Sequence, residues 1–446
     1  MERNSQIRKQ AIKKAAFWAI AVFSAFIAFI PYIPIGNFGF SADDFLFLLI
    51  ILIGLAALFF LKFENFGFTV KKTPFLYPLL ALILAGVLSS VYNIINIENS
   101  VDFFSMIAKG PARYFFTLLF LILAYYFIES KKQVETVLAI LIFASVLESA
   151  FAIGAFLLSW QGLFNIGIAT SRSYSVLDGI VSGRANGTFG SVLENFVGSN
   201  LLAAYLIILI PISISFFIIS KKLWQKFLIG LAIILQTVCL CLTYTRTSIV
   251  YLIFVLFFFA WALKEKKIQR EFVYSIVVVA LIFSLFIPGL AQRFIQDSTN
   301  RLDIWKSAAL VVKEYPVWGT GPGRFLEELS SGIIRYEVFT FDTEVLTPHN
   351  FFLYSWATLG IFGLLAVLWI CWRAAKDLRA GFEKCVNFRE RVIFAGIMSG
   401  CLGFFFQNFT NNFLFVPTVA TYFWLLYALG VKYGEDVNQK LGNFLS

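Results

Sequence analysis

The chain has 446 residues, of which 59% are hydrophobic, 18% aromatic and only 14% charged. That is too apolar for a soluble domain of ordinary composition and describes a polytopic membrane protein. A formal net charge of +10 would suit a nucleic-acid partner, so the placement of the basic residues decides what the charge means.

In chain order, MERNSQIRKQAIKK followed by an apolar run has the basic-then-apolar order of a signal peptide. The run is too long for one and no small-x-small cleavage site follows, so it is expected to stay as a first span. Apolar runs of about 17 to 25 residues, each able to cross a hydrocarbon core of roughly 30 Å as a helix, then recur throughout. About twelve spans are expected, at residues 15–35, 44–61, 74–92, 113–128, 134–158, 197–219, 223–243, 247–263, 271–290, 350–372, 392–407 and 413–431. With the N-terminus inside, the inside segments hold most of the 36 Lys and Arg. This is the positive-inside signature; it sets both termini in the cytoplasm and needs no nucleic acid.

Two connections are long, 159–196 and 291–348, and this topology puts both on the outer face, where long loops usually carry function. In the second, Leu302, Trp305, Ala309 and Val312 recur at helical spacing up to Pro316. The spacing predicts an amphipathic helix lying on the membrane or on the bundle. The following WGTGPGRF is a glycine-rich turn without the Lys and Ser/Thr of a phosphate-binding P-loop, which argues against a nucleotide site. No repeat divides the chain and no disordered linker interrupts it, so residues 1–446 read as a single all-α transmembrane domain. Cys239, Cys241, Cys371, Cys385 and Cys401 have neither metal-ligand spacing nor an extracellular pairing pattern. The NxT triplets at Asn186 and Asn408 read as chance matches.

Cations are scarce on the outer side, which makes each one informative. Arg246, in TYTRTS, sits in a turn of a few residues between spans seven and eight; Arg184, in GRANGTFG, precedes span six; Arg301 opens the amphipathic helix; Arg324 follows the glycine turn. A guanidinium presents a planar fork that matches phosphate oxygens, so several converging forks would hold a diphosphate without a metal. The plainer alternative for each is snorkelling to lipid phosphate or pairing with a carboxylate. His349, in TPHNFFLYSW, is the single histidine. No Cys, Asp or Glu cluster accompanies it, so zinc is a poor fit, whereas an ordinary pKa of about 6.5 makes imidazole a competent proton acceptor at neutral pH. An interfacial imidazole bonded to backbone is its alternative. Glu148 is the one carboxylate well inside an expected span, either a proton-coupling group or a hydrogen-bond partner of a neighbour such as Gln236.

Four of these stretches, taken in order, resemble the O-antigen ligase and polymerase superfamily. GRANGTFG with NLLAAYLIILIPI resembles its arginine, GTFG-like and Asn-Leu-Ala segment, and TYTRTS its arginine turn. RLDIWKSAALVVKEYPVWGTGPGRF resembles its Arg-x-x-x-Trp, Pro, Gly-x-Gly segment, and PHNFFLYSWATLGIFGLL its His-Asn start of the next span. Together they mark residues 184–366 as the ligase-related core, with outer loops 159–196 and 291–348. One departure is visible: the family often follows GTFG closely with Asn-Pro-Asn, whereas SVLENFVGS intervenes here before Asn200.

The resemblance implies a glycosyltransferase of the bacterial cytoplasmic membrane, working on its outer face without a cofactor. The donor would be a glycan on a polyprenyl diphosphate such as undecaprenyl diphosphate, the acceptor a hydroxyl of a lipid-borne sugar, of another lipid-linked glycan or, as in related oligosaccharyltransferases, of a protein serine. It carries the catalytic histidine onto His349, the turn arginine onto Arg246 and the outer-loop arginine onto Arg301, with Arg184, Arg324 and Asn350 as substrate-binding residues. A polymerase of the same family is the first alternative, and a lipid-linked glycan flippase or transporter the alternative of another class. A noncatalytic assembly factor, a third, would leave His349 dispensable.

Overall fold

The computed structural model describes residues 2–29, 34–35, 40–63, 75–96, 106–157, 185, 187–189, 197–264, 302, 304–328 and 347–445. The expected span at 271–290, Arg184, Asn186, Arg301 and much of both long outer segments lie outside the described residues.

In a medium without water every backbone N–H and C=O must find its partner within the segment, so long apolar runs become helices. They are α1 (Glu2–Phe26), α2 (Ala42–Phe63), α3 (Leu76–Asn96), α4 (Arg113–Phe127, continuing a π-turn at Ala108–Ala112) and α5 (Lys131–Leu157). Then follow α6 (Val197–Ile219), α7 (Leu223–Leu242), α8 (Arg246–Leu263), α9 (304–314), α10 (Phe351–Glu383), α11 (Phe388–Gln407) and α12 (Pro417–Leu445). Among the described residues the sole sheet is a two-residue antiparallel pairing of β1 (Pro34–Ile35) with β2 (Phe40–Ser41).

Every expected span other than 271–290 overlaps one of these helices, although α1 ends at Phe26 and Pro34–Ile35, within the first expected span, is β1. By length and apolarity, 7 of the described helices can cross a membrane: α3, α4 with the end of its π-turn, α5, α6, α7, α8 and α10. The expected spans at 15–35, 44–61, 392–407 and 413–431 also carry described helices, α1, α2, α11 and α12.

α6 is the centre of the bundle. Its run from Leu202 to Ile210 is at most 1% exposed, as expected of a helix apolar on all sides. It lies against α11, where a Cβ added at Gly400 would come within 2.5 Å of the Ile208 carbonyl oxygen; small residues let membrane helices approach backbone to backbone. The two ends of the bundle differ chemically. At one, ion pairs link the helices: Lys13 to Glu129, Lys131 to Glu390 and Arg389 to Glu135. At the other, where His349 lies, ties between elements include those of amides and hydroxyls, Gln407 to Ser248 and Thr245 to Asn200.

The firmest of those ties is a backbone junction. α10 breaks at Gly360, which has φ 68 and ψ −167, and the glycine turn after α9 docks into the break. Thr320 N–H donates to Ala357 O (2.9 Å), Gly321 N–H to Thr358 O (3.0 Å) and Ile361 N–H to Pro316 O (3.0 Å). α3 closes the junction from behind, with Ser89 Oγ donating to Thr358 O (2.9 Å) and Asn93 Nδ2 to Gly319 O (3.1 Å). A Cβ at Gly360 would stand 1.9 Å from the Val317 carbonyl oxygen, and one at Gly319 2.4 Å from the Thr358 carbonyl carbon.

The amphipathic helix exists but in a different register from the expected one. α9 buries Ile304, Ala308, Val311 and Val312, while Leu302 is 51% exposed and Ala309 faces outward. Apolar residues occur on more than one face of this segment, and what selects the buried one is the surface it meets: Ala357 with Leu353 and Tyr354 of α10, and Phe325. It thus lies on the bundle.

Gly360→Ala should lower the stability of the detergent-solubilised protein by at least about 2 kcal/mol, since it adds a left-handed backbone penalty of roughly 1–2 kcal/mol to the clash. Its thermal unfolding midpoint should fall clearly below that of a control such as Gly154→Ala, where an added Cβ meets nothing within 4 Å.

Candidate functional site

His349 stands at the start of α10 with φ 47, a left-handed backbone that is uncommon for a residue with a side chain. It is held there from both sides. Before it, the Trp305 indole of α9 donates to the Pro348 carbonyl (3.0 Å). After it, Asn350 caps α10, its Oδ1 accepting from Phe352 N–H (3.0 Å) and Leu353 N–H (3.1 Å). Phe351 N–H, the next orphan donor of the helix start, goes to Asn408 O at the end of α11 (2.9 Å). Unfavourable backbone of this kind costs on the order of 1–3 kcal/mol and persists where surrounding contacts over-determine it, commonly at functional sites. Asn350, expected to meet substrate, therefore already spends its side-chain oxygen on the helix cap.

Arg246 opens α8 at the same end of the bundle. The turn before it contains Tyr244 at φ 51, and Thr245 Oγ1 donates to Asn200 Oδ1 at the start of α6 (3.1 Å). One turn into α8, Ser248 Oγ accepts from Gln407 Nε2 (2.6 Å). Gln407 directly precedes Asn408, which holds Phe351. Arg246 and His349 are thus joined through Ser248, Gln407, Asn408 and Phe351, a path made of two hydrogen bonds and short stretches of chain.

Arg324 lies at this end as well, buried at 9% exposure, with Nε on Glu327 (3.2 Å) and Nη2 on Glu328 (2.8 Å). Its Nη1 is buried with no hydrogen-bond partner among the described residues. The Tyr315 hydroxyl also donates to Glu328 (3.1 Å); burial, and then the Glu328 carboxylate, push that phenol above its ordinary pKa. For Arg324 the plainer of the two expectations, pairing with a carboxylate, is what the structure shows, and it offsets much of its charge. Arg184 and Arg301 are not described, but Ala185, next to Arg184, donates its N–H to Leu242 O at the end of α7 (2.9 Å).

Glu148 does not pair with Gln236. Gln236 Nε2 donates to Ser145 Oγ (2.5 Å), and Glu148 accepts from Thr188, from its N–H (2.7 Å) and its hydroxyl (2.8 Å). Two further groups escaped sequence reasoning. Both amide atoms of Asn412 are buried without a hydrogen-bond partner among the described residues, and such orphans call for a partner. Arg113 begins α4 within electrostatic reach of Tyr114 and Tyr354; counted as the edge of an apolar run, it was passed over. Tyr114 and Tyr354 in turn pack on Phe415 at 5.4 and 4.8 Å.

A cavity of about 1190 Å³ runs along α8, α10 and α11, from Phe352 and Phe409 at the His349 end past Leu368 and Phe405 to Lys264 and Arg391 at the other. Arg391 to Gln407 along α11 is about 24 Å at 1.5 Å per residue, most of the height of a hydrocarbon core of about 30 Å.

Residues 231–368 match the family model described as O-antigen ligase. The matched region takes in α8 with Arg246, α9, the glycine turn with Arg324 and the α10 start with His349, and it supports the resemblance read from the motifs. Comparison with curated proteins finds no match. The class is accordingly an all-helical membrane protein with an O-antigen ligase region, and membrane glycan transfer is the general activity this supports.

Trp305→Phe keeps the ring and removes the bond to Pro348. It should lower stability by about 1 kcal/mol and speed amide exchange of the α10 start, residues 350–353, read by hydrogen–deuterium exchange mass spectrometry.

Proposed function

We propose that the protein transfers a glycan from a polyprenyl diphosphate to an acceptor hydroxyl at the outer face of the membrane, in the manner of an O-antigen ligase. The observation that carries this reading is the His349 junction: a lone imidazole, clamped in left-handed backbone and tied through Gln407 and Ser248 to the helix that Arg246 begins.

In this reaction His349 accepts the proton of the acceptor hydroxyl as its oxygen bonds to the anomeric carbon. The bond from that carbon to the diphosphate oxygen breaks, and the diphosphate leaves on its prenyl carrier. Diphosphate is already a good leaving group, so the demand on the protein is to hold growing negative charge and to remove one proton. The guanidinium forks of Arg246, Arg301 and Arg184 do the first; fixed donors in a water-poor site are the strongest means of doing it. General-base catalysis by His349 contributes on the order of 100-fold to 10,000-fold. Arg324, through its open Nη1, and the Asn350 and Asn412 amides bind glycan hydroxyls or phosphate oxygens. The cavity along α8, α10 and α11 takes the prenyl tail, with the diphosphate at the end beside Phe352 and Phe409.

Three measurements on purified protein with a lipid-linked glycan in liposomes test this. His349→Ala should reduce kcat by about 100-fold or more while the protein remains folded; unchanged turnover would remove the general base. Arg246→Lys should cost at least about tenfold in kcat/KM, because charge without the fork is a poor match for diphosphate. Excess chelator should leave transfer unchanged; its abolition would point to metal-dependent chemistry.

A further inference from the structure

Glu148 lies about 26 Å along α5 from Lys131 at 1.5 Å per residue, fully buried. A carboxylate at such a depth is costly unless something uses it, and the scheme above does not. Its partner is a loop rather than another helix. Thr188, in the 3-10 turn Gly187–Phe189, brings both of its donors to the two carboxylate oxygens, N–H to Oε1 and hydroxyl to Oε2. The residue before it is shaped to permit this: Gly187 has φ +58, and a Cβ there would lie 2.0 Å from Glu148 Oε1. On its other side the same loop is fastened by Ala185 N–H to Leu242 O, four residues before Arg246. Ala185 itself is fully buried.

We infer that Glu148 is a positioning residue: through Thr188 it locks the loop at 185–189 into the bundle and so braces the end of α7 that leads into the Arg246 turn. The carboxylate thus acts as a paired acceptor for one loop and moves no proton. Clamped at Ala185 and at Thr188, the loop is tied on both sides of Gly187 and supports the end of α7, four residues before Arg246. An arginine turn braced this way is preorganised for phosphate, because the entropy of ordering it is spent on folding and not on binding. Only the activity arm of the test rests on the glycan-transfer reading; the lock itself is measured apart from it.

The discriminating variant is Glu148→Gln. A glutamine oxygen accepts the Thr188 N–H and its amide nitrogen donates to a turned Thr188 hydroxyl, so the lock survives while the ionisable group is gone. Glu148→Ala removes both acceptors, and Thr188→Val removes one. Amide exchange of peptides covering 185–189, followed by hydrogen–deuterium exchange mass spectrometry in the full-length protein, should be fast in Glu148→Ala, intermediate in Thr188→Val, and close to wild type in Glu148→Gln and Thr188→Ser. In the liposome assay Glu148→Ala should raise the donor KM on the order of tenfold with kcat held within about threefold, and Glu148→Gln should restore it. A glutamine variant as impaired as the alanine one would overturn the inference in favour of a titrating role. Unchanged exchange in Glu148→Ala, or loosened exchange with unchanged donor KM, would overturn it too. Wild-type protein that transfers nothing, while exchange still follows the alanine-to-glutamine order, would sink the transfer reading and uphold the lock.

Discussion

The arrangement of the His349 end depends on one backbone-to-backbone junction, the glycine turn seated in the break of α10. A helix interrupted within a membrane bundle leaves carbonyls and N–H groups that lipid cannot satisfy, and such breaks survive only where protein or water answers them. Here the answer is protein. The carbonyls of Ala357 and Thr358 take N–H groups from Thr320 and Gly321, and Ile361 returns one to Pro316. Because backbone meets backbone, the two segments approach with no side chain between them, which the positions of Gly319 and Gly360 make possible. α9 is fixed by the same contact, and its Trp305 in turn holds Pro348. The unusual backbone of His349 is therefore the last link of a chain that starts at the Gly360 break of α10.

The polar groups of the bundle are divided by end, and the division has a physical meaning. Ion pairs among Lys131, Glu390, Arg389 and Glu135 fasten one end; the Lys131–Glu390 pair is largely shielded, whereas the more open Arg389–Glu135 pair contributes little. At the other end, amides and hydroxyls such as Gln407, Ser248, Asn408 and Thr245 carry the ties. Among the described residues of that end, Arg324 is held by the Glu327 and Glu328 carboxylates, which weaken its attraction for an arriving anion.

Much of this was legible in the sequence, and what was not has identifiable causes. Apolar runs gave the helices because lipid makes no other choice available, and the junction of polar and apolar residues at TPHNFF marked where α10 begins. The asparagine after His349 was read as a substrate residue although Asn before an apolar run is also a helix-cap signature; its oxygen turned out to cap. The break at Gly360 was hidden because ATLGIFG continues an apolar helical pattern, and glycine is common in membrane helices. The register of α9 was misjudged since more than one of its faces carries apolar residues and the contact with Ala357 decides between them. Arg113 was missed because it falls at the edge of an apolar run. The Glu148–Thr188 pair spans 40 residues and two unrelated motifs, and nothing local in either announces the other.

That pair also bears on the choice between transferring a glycan and transporting one. A buried carboxylate in a span was the strongest sequence argument for a transporter, in which such groups sit near the midplane along a path between the two faces. A coupling carboxylate has to exchange partners as the protein cycles. Glu148 instead gives both oxygens to one residue of a loop whose glycine has no room for a side chain against it. The geometry suits a permanent fastening, and its beneficiary is the end of the bundle where His349 and Arg246 stand. Amides and hydroxyls fixed at that end, beside the mouth of the cavity along α8, α10 and α11, suit the proposed transfer from a lipid-anchored donor better than passage between the two faces.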